Sequence, residues 1–171
     1  GMDAKPLYRC LGHNPAMGYL ADPVNTGIGN FVHYSDDLMI LGIGPLLHIT
    51  RTYNSVSPAD GPFGYGWTFS YGMRLEIEEG EASVTCIGDD GGHIEYIKNS
   101  NEYRKPRASC PDLIKVGKRE YVLKESDGTV YYFAHTGKLK EVKDRNGNSL
   151  VLTYDSDGNI EVITAASGRY L

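Results

Sequence analysis

The strongest constraint on this fold is a pattern written twice near the C-terminus. Phe133-Ala-His-Thr-Gly137-Lys-Leu139-Lys-Glu-Val142 is followed by Tyr154-Asp155-Ser-Asp-Gly158-Asn-Ile160-Glu-Val-Ile163; 154 minus 133, 158 minus 137 and 160 minus 139 all give 21. Gly147 and Gly168, and Leu150 and Leu171, keep the same spacing. An aromatic residue, a polar turn closed by glycine and an apolar strand, recurring at a fixed interval, encode successive hairpins. A unit of this size cannot bury its own apolar face, so it needs neighbours. Taken alone, the pattern reads either as a repeat or as two adjacent Gly-turn hairpins. Leu139 and Val142, like Ile160 and Ile163, are three apart and fall on opposite faces of a regular strand. Either a bulge intervenes or both faces are partly covered.

The rest of the chain agrees with an all-β fold. Thirteen Tyr and 21 Gly favour strands and tight turns. Met73-Arg-Leu-Glu-Ile77 alternates apolar and polar, turns at Glu79-Gly80, and returns through 82–87. Asp89-Asp-Gly-Gly92 turns it again into His93-Ile-Glu-Tyr-Ile97. Tyr121-Val-Leu-Lys-Glu meets Thr129-Val-Tyr-Tyr-Phe133 through Ser126-Asp127-Gly128. Asp-Gly and Asn-Gly between alternating strands are strong hairpin signals, because glycine accepts a positive φ. Phe31-Val-His-Tyr-Ser and the segment 46–53 read as strands, while the polar segment 99–118, with Pro106 and Pro111, reads as a long loop. The expectation is an antiparallel β-meander of successive hairpins with almost no helix.

Composition removes several classes. The net charge of −5 argues against a nucleic-acid surface, so no nucleic-acid partner is expected. No apolar run is long enough for a membrane-spanning helix. Cys10, Cys86 and Cys110 form no Cys-x-x-Cys pair; buried thiols are favoured over a bridge. His13, His33, His48, His93 and His135 are scattered without metal-ligand spacing, so neither metal nor cofactor is expected. His33 and His48 stand near Asp36 and Asp37, where a hydrolytic site would require His48, Arg51 and an aspartate to converge in a cleft. Asp36-Asp37 and Asp89-Asp90 read instead as turn formers. No nucleophile elbow and no His-Glu-x-x-His motif is present, and catalytic residues are not assigned. Phe63, Tyr65, Trp67 and Tyr71 lie among glycines in the segment 61–71 and form either a core plug, the favoured reading, or a glycan platform.

Three further motifs carry a resemblance. Asp22-Pro-Val-Asn-Thr-Gly-Ile-Gly-Asn-Phe-Val32, Arg51-Thr-Tyr-Asn54 and Gly61-Pro-Phe-Gly-Tyr-Gly-Trp-Thr68 resemble the segment that precedes Rhs/YD-repeat arrays. The stretch from Asp144 through Tyr154-Asp155-Ser-Asp-Gly158-Asn-Ile160 looks like a YD repeat. Only this unit carries the Tyr-Asp pair; its predecessor has Phe133-Ala134, and the arginine usual after the turn glycine is Lys138 and Asn159 here. The resemblance implies a division into an irregular segment at 1–21, a leading β domain at 22–130 and the first YD repeats at 131–171. Tyr154, Asp155, Gly158, Gly137, Gly147 and Gly168 would be its structural motif. It further implies a secreted or surface bacterial protein whose curved sheet winds into a shell around a C-terminal effector, often a toxin. The segment itself is then expected to be non-enzymatic, with the rest of its array and the effector as partners. The rival readings are a cell-wall or glycan-binding module and a hydrolase. An unpaired last strand is expected to self-associate through its edge.

Overall fold

The computed structural model describes residues 19–20, 24–25, 29–40, 47–57, 60–61, 63–117, 120–166, 168 and 170. Cys10, His13 and Leu171 lie outside the described residues. The fold is an all-β arrangement of antiparallel sheets, with one short 3₁₀ turn at Glu79–Glu81 among the described residues.

The leading sheet begins with β1 (Tyr19–Leu20), β2 (Val24–Asn25), the long β3 (Asn30–Ile40) and β4 (Leu47–Asn54). After a two-stranded ladder of β5 (Asp60–Gly61) and β6 (Gly64–Tyr65), β7 (Trp67–Phe69) returns to pair with β4. The second sheet holds β8 (Arg74–Ile77), β9 (Ser83–Ile87), β10 (His93–Asn99) and β11 (Glu102–Arg104) in chain order. The third is a six-stranded meander of β12 (Asp112–Val116), β13 (Glu120–Lys124), β14 (Val130–Ala134), β15 (Leu139–Lys143), β16 (Ser149–Tyr154) and β17 (Ile160–Ala165).

The segment expected as a long loop at 99–118 contains β11 and β12, which corrects that reading. Pro106 and Pro111 bracket the connection between these strands and break neither of them. Leu113 of β12 turns into the core while Ile114 and Val116 stay exposed, the alternation expected of a strand with one covered face.

The core lies between the second and third sheets. Leu75, Val84, Cys86 and Tyr96 from one side meet Leu123, Phe133, Leu139, Leu150 and Ile163 from the other in a single buried cluster. Buried apolar area of this kind stabilises by roughly 25 cal/mol per Å² removed from water. One backbone contact stitches the two sheets directly. Arg74 and Lys138 form an isolated antiparallel bridge, and Leu75 N–H donates to the Gly137 carbonyl at 2.8 Å. A Cβ on Gly137 would lie 1.8 Å from the Leu75 carbonyl oxygen, so only glycine fits this seam.

One turn geometry is used five times among the described residues. At 88–92, 125–129, 134–138, 144–148 and 155–159, the first amide donates to the carbonyl four residues on, and the fourth amide donates back to the first carbonyl. The fourth residue is a glycine at positive φ each time: Gly91, Gly128, Gly137, Gly147 and Gly158. This is the three-residue hairpin loop in which a left-handed residue closes a type I turn. Its need for positive φ explains the glycine in each copy.

The three-residue spacing of the apolar positions is resolved by bulges. Tyr132 pairs with Glu141 and Phe133 with Leu139, leaving Lys140 extra. Thr153 pairs with Val162 and Tyr154 with Ile160, leaving Glu161 extra. Each bulge brings the residues on either side of it to the same face. Leu139 and Val142, and Ile160 and Ile163, therefore all join the core cluster. The two bulges are again 21 apart, 161 minus 140.

Candidate functional site

In the two copies of the repeated unit, equivalent positions touch the layer before them. The Gly137 carbonyl takes the Leu75 amide. The Gly158 carbonyl takes Lys138 Nζ at 3.0 Å, and the same ammonium stands 5.0 Å from the Tyr154 ring centroid. Tyr154 donates its hydroxyl to the Leu139 carbonyl at 2.6 Å, and burial raises its pKa to about 12. Asp155 Oδ1 accepts from the amides of Asp157 at 3.0 Å and Asn159 at 2.8 Å. Asp144 does the same with Asn146 and Asn148. Such turn-closing carboxylates replace the backbone's lost partners. The Asn159 amide holds Asp155 below the usual carboxylate range, and Asn148 does so for Asp144. These groups accept hydrogen bonds from their own turns and reach nothing that reacts. Gly147 and Gly168 also have positive φ, and a Cβ at either would meet open space.

The leading sheet has the reverse distribution of polarity. Its inner face is largely polar: Asn30, Thr52, Asn54 and Thr68 are all buried, with Val32 beside them. Asn54 donates from Nδ2 to the Asp90 carbonyl at 3.1 Å, joining this sheet to the turn at 88–92. Its outer face carries rings. His33, Tyr53 and Trp67 are opposite one another across β3, β4 and β7, and Tyr53 and Trp67 have ring centroids 5.4 Å apart. Phe31 lies 6.0 Å from Tyr53 and runs parallel to His33 within 11°.

The four aromatics of the segment 61–71 therefore separate. Tyr71 is 5% exposed and donates no ring to the surface; its oxygen accepts the His48 amide at 3.0 Å. Phe63 and Tyr65 are 43% and 65% exposed, and Trp67 is half-buried. Arg51 lies between Phe63 and Trp67, its guanidinium carbon 5.5 Å from each ring centroid. It is held there by a two-pronged pair with Asp37, Nε to Oδ2 at 2.5 Å and Nη2 to Oδ1 at 2.8 Å. This pairing keeps Asp37 below its ordinary range.

The carboxylates expected as turn formers at Asp36-Asp37 sit at a bulge inside β3, where a strand re-aims its side chains. The irregularity sends Asp37 to the outer face with Arg51 and Asp36 to His48. His48 Nε2 is 3.1 Å from Asp36 Oδ1 and 2.7 Å from Thr50 Oγ1, while Thr50 donates to Asp36 at 2.7 Å. Both short contacts fall on one ring nitrogen. A relay that holds a base through one nitrogen and uses the other is not formed. Arg51 points away from this group, so the convergence required of a hydrolytic site does not occur. His33 stacks beside Phe31 and does not join His48.

Behind His48 a cleft of about 310 Å³ reaches Asp89 and Asp90. An adjoining cleft of about 260 Å³ contains Asp89, Asp90, Glu125, Cys86 and Cys110. Cys86 and Cys110 are buried thiols, and burial pushes Cys86 up to about 12. Burial of its carboxyl among neighbouring groups, with Asp90 beside it, raises Asp89 to about 6, although the residue keeps exposed surface at the rim. Burial also raises Glu125. Among the described residues no group of three or more His, Cys, Asp or Glu side chains is placed to hold a metal ion.

The fold and its repeated turns define a class: an antiparallel hairpin-array protein preceded by a separate ring-bearing sheet. Residues 21–96 match a domain of unknown function, DUF6531. Over four-fifths of its length the chain is similar to WapA proteins. It is 33% identical over 139 residues, 80% of its length, to the tRNA nuclease WapA of Bacillus subtilis (strain 168). The same identity holds with the tRNA(Glu)-specific nuclease WapA of Bacillus subtilis subsp. natto. The chain spans 6% of the length of these relatives. Their names correct the expectation of a non-enzymatic protein: the relatives are named as tRNA nucleases. That expectation rested on the resemblance and on the absence of a nucleophile elbow and a His-Glu-x-x-His motif within 171 residues.

Proposed function

We propose that this chain is a scaffold-forming leading segment of a larger Rhs/YD-type, WapA-like protein that acts on tRNA. The hairpins at 120–166 begin a curved wall, and the wall partly encloses an effector carried elsewhere in the same polypeptide. The larger protein is secreted or displayed on a bacterial surface, where it serves as a toxin. The observation that carries this reading is the recurrence of turn, bulge and glycine at one fixed interval, since a constant unit added side by side extends a sheet without a natural limit. The relatives' shared name supports the nuclease part.

The test uses the full-length protein and a version lacking residues 1–171. The full-length protein should cleave tRNA, and its remaining segments should resist limited proteolysis. Deletion should expose those segments to protease. Unchanged protease resistance after deletion would remove the scaffold reading, and intact tRNA with the full-length protein would remove the nuclease part.

A further inference from the structure

We propose that the outer face of the leading sheet is a binding site for an uncharged, hydroxyl-rich oligosaccharide chain. Sheets normally turn rings inward and polar side chains outward. This one buries Asn30, Thr52, Asn54 and Thr68 beside a single aliphatic, Val32, at this end and has Phe31, Tyr53, Phe63 and Trp67 on the other side. Phe31 and Phe63 are 37% and 43% exposed, and a contiguous apolar patch at a surface marks an interaction site.

The chemistry of the occupant follows from what stands among the rings. Successive centroids at 5.4 and 6.0 Å are spaced much as sugar rings are along a glycan, whose C–H faces pack against aromatic surfaces. The polar group of the face is the Arg51–Asp37 pair, planar donors beside carboxylate acceptors, with Ser35 adding a hydroxyl at 3.3 Å from Asp37. Such a fork offers both halves of a hydrogen bond to a hydroxyl. Because Arg51 is already paired with Asp37, no lysine or arginine is left unpaired among the described residues of the face, and a single-stranded nucleic acid would need such charges for its phosphates. A neutral ligand with apolar ring faces and hydroxyl edges is the complement of this surface.

The sole tryptophan, Trp67, lies within the face, so its fluorescence reports binding directly. The 171-residue chain is titrated with cellohexaose, chitohexaose and oligouridine. A saturable change with at least one hexasaccharide is expected. It should weaken about 5-fold or more in Phe63→Ala, the scale of one lost ring contact. Phe63 lies outside any strand, so this variant should keep its far-ultraviolet circular dichroism. Tyr34→Ala, on the opposite face, should bind like the parent. No saturable response to either hexasaccharide in the millimolar range overturns the proposal. So does binding that survives Phe63→Ala and Arg51→Ala together. A response to oligouridine alone that fades with added salt would assign the face to nucleic acid and equally overturn it.

Discussion

The leading sheet and the six-stranded meander are inside out with respect to one another. In the meander, Leu123, Phe133, Leu139, Leu150 and Ile163 face the core, and order comes from a turn and a bulge used repeatedly. In the leading sheet hydroxyl and amide side chains dominate one buried layer, Leu47 and Phe69 reach the core at one end, Phe31, Tyr53 and Trp67 stand on the outer side, and order comes from individual pairings such as Arg51 with Asp37 and Asn54 with the turn at 88–92. The first plan can be extended by copying. The second is specific to its own residues, as expected of a surface that meets something other than more of itself.

The largest effect that would break this comparison is expected at the seam between the sheets. Gly137→Ala forces a Cβ against the Leu75 carbonyl and should cost upwards of ~4 kcal/mol or prevent folding, measured by urea unfolding. Gly147→Ala, in the same turn at nearly the same φ but facing open space, should lose only about 1–2 kcal/mol. Equal losses would mean that the seam contributes nothing beyond the turn. Next in size, Thr68→Val should stabilise by about 1 kcal/mol, because Thr68 Oγ1 is buried with no hydrogen-bond partner among the described residues. A loss there would show that the polar inner layer is needed as it stands.

Lys138→Ala should cost about 1 kcal/mol by removing the cation over Tyr154 and the donor to Gly158. Lys138→Arg should restore most of it if the contact between units is the cause. The smallest effect concerns pH. Folding raises Asp89 to about 6 from about 4 in the unfolded chain. Its protonated form therefore contributes stability that is full below about pH 4 and lost as pH rises through about 6. Asp89→Asn should raise the unfolding midpoint slightly at pH 7.5 and leave it unchanged near pH 4; solvent at the rim keeps the gain small. Asp144 and Asp155, held low by their turns, act with the opposite sign and lose their contribution as the solution is acidified through their folded values.

The hairpins were readable because their information is local. A glycine at the fourth turn position, joined in two turns by an aspartate acceptor at the first, needs no knowledge of the rest of the chain. The bulges at Lys140 and Glu161 were visible as a three-residue apolar spacing, within strand-like segments, that a regular strand does not account for. Two strands, β11 and β12, were hidden because prolines and polar residues mark a connection without saying how short it is. The contact of Gly137 with Leu75 joins residues far apart in sequence, and no local pattern announces it. In the segment 61–71, alternation alone could not say that Trp67 stays at the surface while Tyr71 goes inside. That choice is made by β7 pairing with β4 and by the tight bend after Phe69, where Gly72 N–H returns to the Phe69 carbonyl.

The extra residues Lys140 and Glu161 have a geometric consequence. A bulge lengthens one strand relative to its partner, so the sheet bends and twists more at that point. Placed at the same position in successive hairpins, bulges add their rotations in the same sense. Such a ribbon winds with a pitch written into the chain, and counting hairpins along it amounts to counting degrees of turn.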